Sequence, residues 1–262
     1  MTANQLLIID ALNLIRRFDA ISQKQHQQPE ARFQATLSST LSAIEKLIKR
    51  FIPSHIVAVF DQAGPDWRNT LYSDYKANRQ PMPTYLADGL ATIQDSLLTQ
   101  GIDSLLNPAI QADDLIATIA SKATEHHLPT VIVSTDHGFW QLLGESQLTI
   151  YNYFNKVLIT PDSVLQRYQV NCRQLVDYWA LTGSSSVNLK GVPGIGAKTA
   201  AQLIGQYGSL NALLQCAKGE NTRVDKVLAH QDDAKLTAKL MQLLTDLPLG
   251  FNLKQLRYHS GK

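Results

Sequence analysis

The sequence predicts an α/β fold in which a mostly parallel sheet is covered by helices and is followed by a helical second domain. Three short runs rich in β-branched residues are typical of buried strands: Leu6–Ile9, Ile56–Phe60 and Val131–Val133. Helix-length amphipathic stretches lie between them, near 30–52, 84–100 and 112–127. Such alternation favours a parallel sheet with helical crossovers.

Weaker signals complete the predicted sheet and place a domain boundary. Ile102–Leu106 is a further strand candidate, and Leu148–Tyr151 with Lys156–Ile159 predicts a terminal hairpin. From Pro161 onward only helical patterns follow, broken by Gly, Ser and Asn, near 161–168, 172–182, 197–206, 209–218 and 222–246. We therefore expect one domain over 1–160 and a helical domain over 161–262.

The amino-acid composition excludes few classes of function. The 262 residues are 44% hydrophobic and 18% charged, with a net charge of +2 that neither indicates nor excludes a nucleic-acid partner. Cys172 and Cys216 have no metal-ligand spacing, which favours two ordinary thiols. No stretch approaches the roughly 20 apolar residues of a membrane span, and the first residues lack the pattern of a signal peptide. We therefore expect a cytoplasmic protein that has no membrane as a partner.

Acidic residues stand where the predicted strands end. Asp10 and Asp61 close the first two strands, Asp113 and Asp114 open the helix near 112–127, and Asp136 follows Val131–Val133. These junctions share the carboxyl edge of a parallel sheet, where such folds place their ligands. Carboxylates held close together suit a hard cation such as Mg²⁺. Each Asp alone could instead be a helix N-cap, but that does not account for the whole set.

A glycine-rich stretch at 191–200 precedes an apolar helical run. Ala197 stands where a phosphate-binding P-loop needs Lys, and Thr199 stands where a dinucleotide fingerprint needs Gly. Both nucleotide-binding motifs are therefore excluded. The remaining interpretation is a tight turn before a helix, and the backbone N–H groups of such a turn could hold a DNA phosphate without reading sequence. The candidate DNA-binding residues are Gly194, Ile195, Gly196, Ala197, Lys198 and Thr199. An ordinary helix–helix turn is the alternative.

Six motifs in order along the chain resemble the structure-specific 5′ nuclease (flap endonuclease) family, most closely its free-standing bacterial members. They are IIDALNLIRR at 8–17, VAVFD at 57–61, DYKANR at 74–79, QADDLIATIA at 111–120, VSTDHG at 133–138 and GVPGIGAKTA at 191–200. The resemblance implies a PIN-like nuclease domain, a helix–three-turn–helix DNA-binding domain, and a mobile helical arch near 64–90.

The resemblance also implies roles for individual residues. Trp67 and Arg68 would lie in the arch, with Lys76 and Arg79 there as the catalytic cations that grip the scissile phosphate. Mg²⁺ would be held by Asp10, Asp61, Asp113, Asp114 and Asp136, with Asp114 as the leading ligand. A K⁺ ion would be held by backbone carbonyls of Leu181, Thr182, Lys190, Val192 and Ile195.

Four positions depart from the family pattern. Gln111 stands where the family has Glu, and Gly138, Ser184 and Val187 stand where fuller members have Asp. The free-standing bacterial branch shares the last three losses. A second Mg²⁺ site is therefore doubtful, and we expect slow or narrow activity, with binding affected less than chemistry.

Three functions follow as hypotheses. The first is a Mg²⁺-dependent endonuclease that cuts DNA near the base of a 5′ flap in replication or repair. The second is a protein that binds branched DNA with weak or lost catalysis. The third, an RNA-cleaving PIN-like nuclease, leaves the glycine turn unexplained. A monomer is expected, and no protein partner can be inferred.

Overall fold

A six-stranded sheet forms the centre of the N-terminal part of the chain. The computed structural model describes residues 4–61, 64, 66–108, 110–144, 147–219 and 221–259. The sheet has the order β3-β2-β1-β4-β5-β6, with the first five strands in this order parallel and β6 antiparallel to β5. The strands are β1 (Leu6–Asp10), β2 (His55–Phe60), β3 (Asp103–Leu106), β4 (Thr130–Val133), β5 (Leu148–Asn152) and β6 (Val157–Ile159). The predicted α/β class, the weak third strand and the terminal hairpin are confirmed.

Helices cover both faces of this sheet. Its strands are apolar along their whole length because alternate residues enter different cores. Leu6 and Ile8 of β1 pack with helix α6 (Ala112–Glu125), whereas Leu7 and Ile9 pack with α1 (Ala11–Gln25) and α2 (Pro29–Phe51). The prediction of α2 and α6 was close. Helix α1 was not predicted.

The predicted helix near 84–100 is divided in two. It consists of α4 (Thr84–Asp88) and α5 (Leu90–Thr99), which meet at Gly89. A Cβ at Gly89 would lie 2.1 Å from the Phe33 ring of α2, so a glycine permits the close approach of the two elements.

The C-terminal part is helical, as predicted. Its helices are α7 (Pro161–Tyr168), α8 (Leu175–Thr182), α9 (Ala197–Tyr207), α10 (Leu210–Leu214), α11 (Thr222–Ala229) and α12 (Gln231–Met241), and a short antiparallel pair, β7 (Gly183–Ser184) and β8 (Leu189–Lys190), follows α8. Their apolar side chains continue the core on the α6 face of the sheet, with Trp140, Val164 and Trp179 at the junction. The two parts of the chain therefore share one apolar core.

The segment from 64 to 90 differs from the expected helical arch. Residues 62, 63 and 65 lie outside the described residues, and Trp67–Leu71 forms a five-residue helix, α3, followed by turns up to α4. Backbone and side-chain hydrogen bonds tie the turns to the C-terminal part: Lys76 N donates to the Val187 carbonyl, and Asn188 Nδ2 donates to the Asp74 carbonyl. The segment therefore packs against the loop that joins β7 and β8.

The helices of the described chain include none that is long and apolar enough to span a bilayer.

Candidate active site

Four carboxylates meet at the carboxyl edge of the sheet. Asp10 ends β1, Asp61 follows β2, Asp136 follows β4, and Asp113 lies in the first turn of α6. Because β2, β1 and β4 are neighbours in the sheet, these residues line one open cavity of about 340 Å³. The sequence prediction that strand-end acids converge is matched by this arrangement for four of its five residues.

Hydrogen bonds hold the carboxylates in place. Asp10 caps α1 by accepting from the Asn13 N–H at 3.3 Å, and it also accepts from the Ser134 hydroxyl at 2.7 Å. Asp61 accepts from the Ala112 N–H at 3.1 Å, at the start of α6. The N-cap alternative is thus correct for Asp10, yet the same carboxylate faces the cavity. Capping fixes the orientation of these acids and does not compete with a role in the cavity.

Their mutual repulsion is strong in the absence of a countercharge. Burial, reinforced by the charge of Asp113, raises the pKa of Asp10 to about 8. Burial also raises the pKa of Asp61 and of Asp136, again with Asp113 adding repulsion. Burial acts in the same direction on Asp113, but Lys76 and other nearby cations outweigh it, so the pKa of Asp113 is lowered. Asp113 is therefore the acid of the four whose charged form the neighbouring cations favour.

Basic residues surround the acidic cluster: Lys76 contacts Asp113, and Arg16, Arg17 and Arg79 line the cavity. Lys76 Nζ lies 3.1 Å from Asp113 Oδ2, and the Lys76 side chain is only 13% exposed. Burial lowers the pKa of Lys76, but the attraction of Asp113 exceeds that effect and the pKa is raised. Arg79 is exposed and lines the same cavity. Both cations can reach a phosphate placed against the carboxylates.

Asp114 is placed differently from its expected role as the leading Mg²⁺ ligand. It is 1% exposed, and its two oxygens accept from Arg68 at 2.6 and 2.8 Å in a bidentate ion pair. Trp67 Nε1 and the Leu244 N–H complete its hydrogen bonds. It does not line the acidic cavity. Its acceptor positions are occupied within the protein, so we reassign Asp114 to a positioning role.

The Arg68 guanidinium is likewise buried instead of lying in a DNA-gripping arch. Besides Asp114 it donates to Gln111 Oε1 at 2.8 Å and to the Leu240 and Gln242 carbonyls, at 2.9 and 2.8 Å. Gln111, the departure from the family's Glu, is therefore a neutral acceptor for an arginine whose charge Asp114 already balances. This network joins α3, α6 and the segment after α12.

The four remaining acids fit a hard divalent cation by their chemistry. Asp10, Asp61, Asp113 and Asp136 supply only oxygen ligands, which Mg²⁺ prefers together with retained waters. No three His, Cys, Asp or Glu side chains within the described ranges are already gathered as a formed metal site. The raised pKa values of three of the four acids indicate that a cation would replace protons in this cavity.

This electrostatic balance predicts how stability depends on pH without metal. The folded-state pKa of Asp10 is raised to about 8, so its protonated form stabilises the fold at low pH, and this contribution is lost as pH rises from about 4 to about 8. Asp61 and Asp136 act in the same direction. Urea unfolding in EDTA should therefore show stability falling across this range.

Asp10→Asn provides the control for that pH dependence. The variant should flatten the decline, because its amide cannot ionise, whereas Asp88→Asn, at an exposed residue outside the cavity, should leave it unchanged. A metal-free wild-type protein whose stability rises steadily between about pH 5 and 8 would contradict the prediction.

The glycine turn forms the start of α9. Gly194 has φ 76°, a conformation that favours glycine, and Gly196 is the N-cap without a side chain to cap the helix. Ala197 and Lys198 are exposed there, so the first-turn N–H groups are open to an anion. Ile195 differs from expectation: it is 5% exposed, and its N–H donates to the Val192 carbonyl at 3.0 Å.

Lys226 of α11 is a cation at this turn that the sequence analysis missed. A Cβ built on Gly194 would lie 3.1 Å from Lys226 Nζ, so the ammonium lies beside the turn. No local signal connects two residues that far apart in sequence. The charge adds to Lys198 in favouring a phosphate.

The residues of the expected K⁺ site lie around one loop. Three of the five carbonyls already accept hydrogen bonds: Leu181 from Val192 N at 2.8 Å, Val192 from Ile195 N, and Lys190 from the Thr237 hydroxyl at 3.2 Å. A carbonyl has a second lone pair, so these bonds do not use up its capacity.

A larger cavity of about 570 Å³ adjoins the acidic one and was not foreseen. Asn13, Arg17, Asp113 and Asp136 line both. Its walls also carry the departures Gly138, Ser184 and Val187, together with His137, Arg167 and Tyr168.

The wall at His137 is positively charged and aromatic. His137 stacks on Trp140 at 4.1 Å between ring centroids, and its Nδ1 lies 2.6 Å from the Tyr168 hydroxyl. Burial lowers the pKa of His137 to about 4, and the charges of Arg167 and Arg17 act in the same direction. Both arginines line the same cavity as this ring.

Family models match both parts of the chain. The model described as the 5′-3′ exonuclease N-terminal resolvase-like domain covers residues 5–169, and the 5′-3′ exonuclease C-terminal SAM fold covers residues 170–262. With its strand-end acids and helical second part, the chain belongs to the 5′-3′ exonuclease family of nucleases.

Relatives of nearly equal length include proteins named flap endonuclease Xni. The one from Psychromonas ingrahamii is 46% identical over 254 residues, covering 97% of both chains, and the one from Aeromonas salmonicida is 48% identical over 255 residues, covering 97% of this chain and 96% of that protein.

Solved structures show the same fold at lower identity. A bacteriophage T5 5′-exonuclease with bound zinc has a TM-score of 0.77 and 21% identity, covering 90% of this chain and 89% of that chain. The catalytic core of Rad2 in complex with a DNA substrate has a TM-score of 0.64 and 16% identity, covering 98% and 84%. At these identities the likeness concerns the fold alone.

Proposed function

We propose that the chain is a Mg²⁺-dependent endonuclease that hydrolyses a DNA phosphodiester near the base of a 5′ single-stranded flap. The observation that carries this proposal is the convergence of Asp10, Asp61, Asp113 and Asp136 on one open cavity beside Lys76 and Arg79. The names of the flap endonuclease relatives support the same substrate. We further propose that the protein is a cytoplasmic monomer and that its substrates are intermediates of DNA replication and repair.

Each part of the site has a role in this reaction. Bound Mg²⁺ would be held by the four cavity carboxylates and would supply an activated water and charge stabilisation at the phosphate. Lys76 and Arg79 orient the scissile phosphate and stabilise the negative charge that develops on it. The first turn of α9, with Lys198 and Lys226, holds a phosphate of the duplex by sequence-independent contacts. Arg68 and Asp114 position α3 against α6.

A weakly catalytic or inactive protein that binds branched DNA is the alternative function. With Gly138, Ser184 and Val187 in its walls, the larger cavity lacks three further acids that could complete a second metal site beside Asp113 and Asp136. Two-metal sites stabilise both the attacking and the leaving oxygen, so a protein with one metal stabilises the transition state less. The glycine turn and its cations are unaffected by these losses.

A flap-cleavage assay distinguishes the two functions. We expect an end-labelled 5′-flap DNA to be cut near its junction with Mg²⁺, and the cleavage to be lost in EDTA and in Asp113→Asn. Asp88→Asn removes an exposed acid outside the cavity and should cleave normally. Intact DNA with tight flap binding would favour the binding protein, and faster cleavage of single-stranded RNA would favour an RNA nuclease.

We also propose K⁺ as a second cofactor, at the carbonyls of Leu181, Thr182, Lys190, Val192 and Ile195. Flap binding measured in matched concentrations of KCl and NaCl tests this site. Tighter flap binding in KCl supports the site, and equal binding in both salts argues against it.

A further inference from the structure

We propose that the larger cavity binds a substrate phosphodiester next to the one that is cleaved, and that Arg17 and Arg167 hold it. This inference rests on the proposed function, since it names a further contact made by the same DNA strand. Asn13, Arg17, Asp113 and Asp136 line both cavities, so a strand whose phosphate lies against the acidic cluster passes directly into the larger space.

The charge of the cavity wall favours an anion. Asp113 and Asp136, both on the edge shared with the acidic cavity, are the acids among the described lining residues. Of the cations, Arg68 is balanced by its ion pair with Asp114, which leaves Arg17 and Arg167. A wall of this kind repels a cation and attracts a phosphate away from the shared edge.

The two arginines are available for such a contact. Within the described part of the chain neither forms an ion pair, and both are exposed. Arg17 lies over the Phe154 ring, with its guanidinium carbon 5.6 Å from the centroid, and Arg167 lies over Tyr168 at 5.7 Å. Packing on an aromatic face restricts each guanidinium, and an arginine has five N–H donors with which it can bind a phosphate.

The space and its remaining polar groups suit part of a nucleotide. Its volume of about 570 Å³ lies within the roughly 300–1,000 Å³ typical of small-ligand sites. Ser184, Ser185 and Ser186 add hydroxyl groups to the lining, and Tyr178 and Trp179 add aromatic rings. These groups can contact sugar and phosphate oxygens without distinguishing bases, as expected for a nuclease that does not read sequence.

Binding of flap DNA in EDTA tests this contact without cleavage. We compare the wild type with the double variant Arg17→Ala/Arg167→Ala, and with Arg173→Ala as a matched loss of an exposed arginine that lines neither cavity. The double variant should bind about tenfold more weakly near 0.1 M salt, and its salt dependence should be shallower by about one phosphate contact.

Neutral methylphosphonate links placed one at a time along the flap strand then locate the contact. One position beside the scissile phosphate should weaken binding by the wild type and have no further effect on the double variant. If the double variant loses no more affinity than Arg173→Ala, or if no methylphosphonate position shows this difference, the inference is wrong while the proposed function stands. If the wild type binds no flap DNA under any condition, the proposed function is wrong and the inference is lost with it.

Discussion

Replacing Arg68 with alanine is expected to destabilise the protein by about 3–5 kcal/mol, as for other buried ion pairs that lose one partner. The side chain is 1% exposed, and all of its N–H groups donate to Asp114, Gln111 and the carbonyls of Leu240 and Gln242. Its removal leaves a buried Asp114 carboxylate without its counter-ion and creates a cavity between α3, α6 and the segment after α12.

Urea unfolding measures this effect with two comparison variants. Arg79→Ala removes an exposed arginine nearby and should change stability by less than about 0.5 kcal/mol. The double variant Arg68→Met/Asp114→Leu replaces the ion pair with apolar groups of similar volume and should recover much of the loss. A change below about 1 kcal/mol in Arg68→Ala would contradict the assigned structural role.

The same ion pair alters how an Asp114 variant should be interpreted. Asp114→Asn should lose activity mainly because the folded protein is destabilised, not because a metal ligand is removed. Asp113→Asn should reduce metal affinity with a smaller effect on unfolding, since Asp113 is 26% exposed in its contact with Lys76. Neighbouring acids on the same helix thus have different roles.

The sequence located the acidic edge but could not distinguish these two neighbours. The strand-end rule predicts that Asp10, Asp61 and Asp136 converge, because parallel strands end together. Asp113 and Asp114 are consecutive in α6, so their side chains point about 100° apart around the helix axis. Which of them faces the cavity depends on the position of Arg68, 46 residues earlier in the chain. No local pattern encodes that pairing.

The fold was predicted more completely than the connections across it. Continuous apolar runs and amphipathic periods reflect local geometry, so the strands and most helices could be recognised. The compact segment from 66 to 88 depends instead on contacts with the C-terminal part, such as the hydrogen bond from Asn78 Nδ2 to the Ser185 carbonyl. Lys226 and Arg167 were missed for the same reason, because each joins its site only through tertiary packing.

Replacing Lys76 with methionine is expected to lower the rate of flap cleavage by about 10²–10³-fold, the usual cost of removing one preorganised charge-stabilising donor. Methionine keeps most of the side-chain volume and removes the ammonium that lies 3.1 Å from Asp113. Lys76 has φ 57°, so methionine experiences the same backbone strain as lysine. The loss would therefore report charge, with little contribution from the fold.

Lys156→Met is a closely matched control for this variant. Lys156 is an exposed lysine in the β5–β6 turn with φ 56°, and it lines neither cavity. Its substitution should leave kcat and KM for the flap within about twofold of the wild type, as expected for a surface change. Single-turnover cleavage and flap binding should be measured for both variants. If Lys76→Met retains more than about a tenth of the wild-type rate, the proposed role in charge stabilisation is wrong.

Metal affinity separates the two ways in which Lys76 could act. Its ammonium is the largest favourable charge on Asp113, so its loss leaves a more negative cluster. A divalent cation should therefore bind Lys76→Met at least as tightly as the wild type, although the variant cleaves slowly. That combination places Lys76 on the phosphate during the reaction and excludes a role limited to assembling the metal site. Because the Lys76 N–H donates to the Val187 carbonyl, the C-terminal part that we propose to contact the duplex also fixes the position of the proposed catalytic cation.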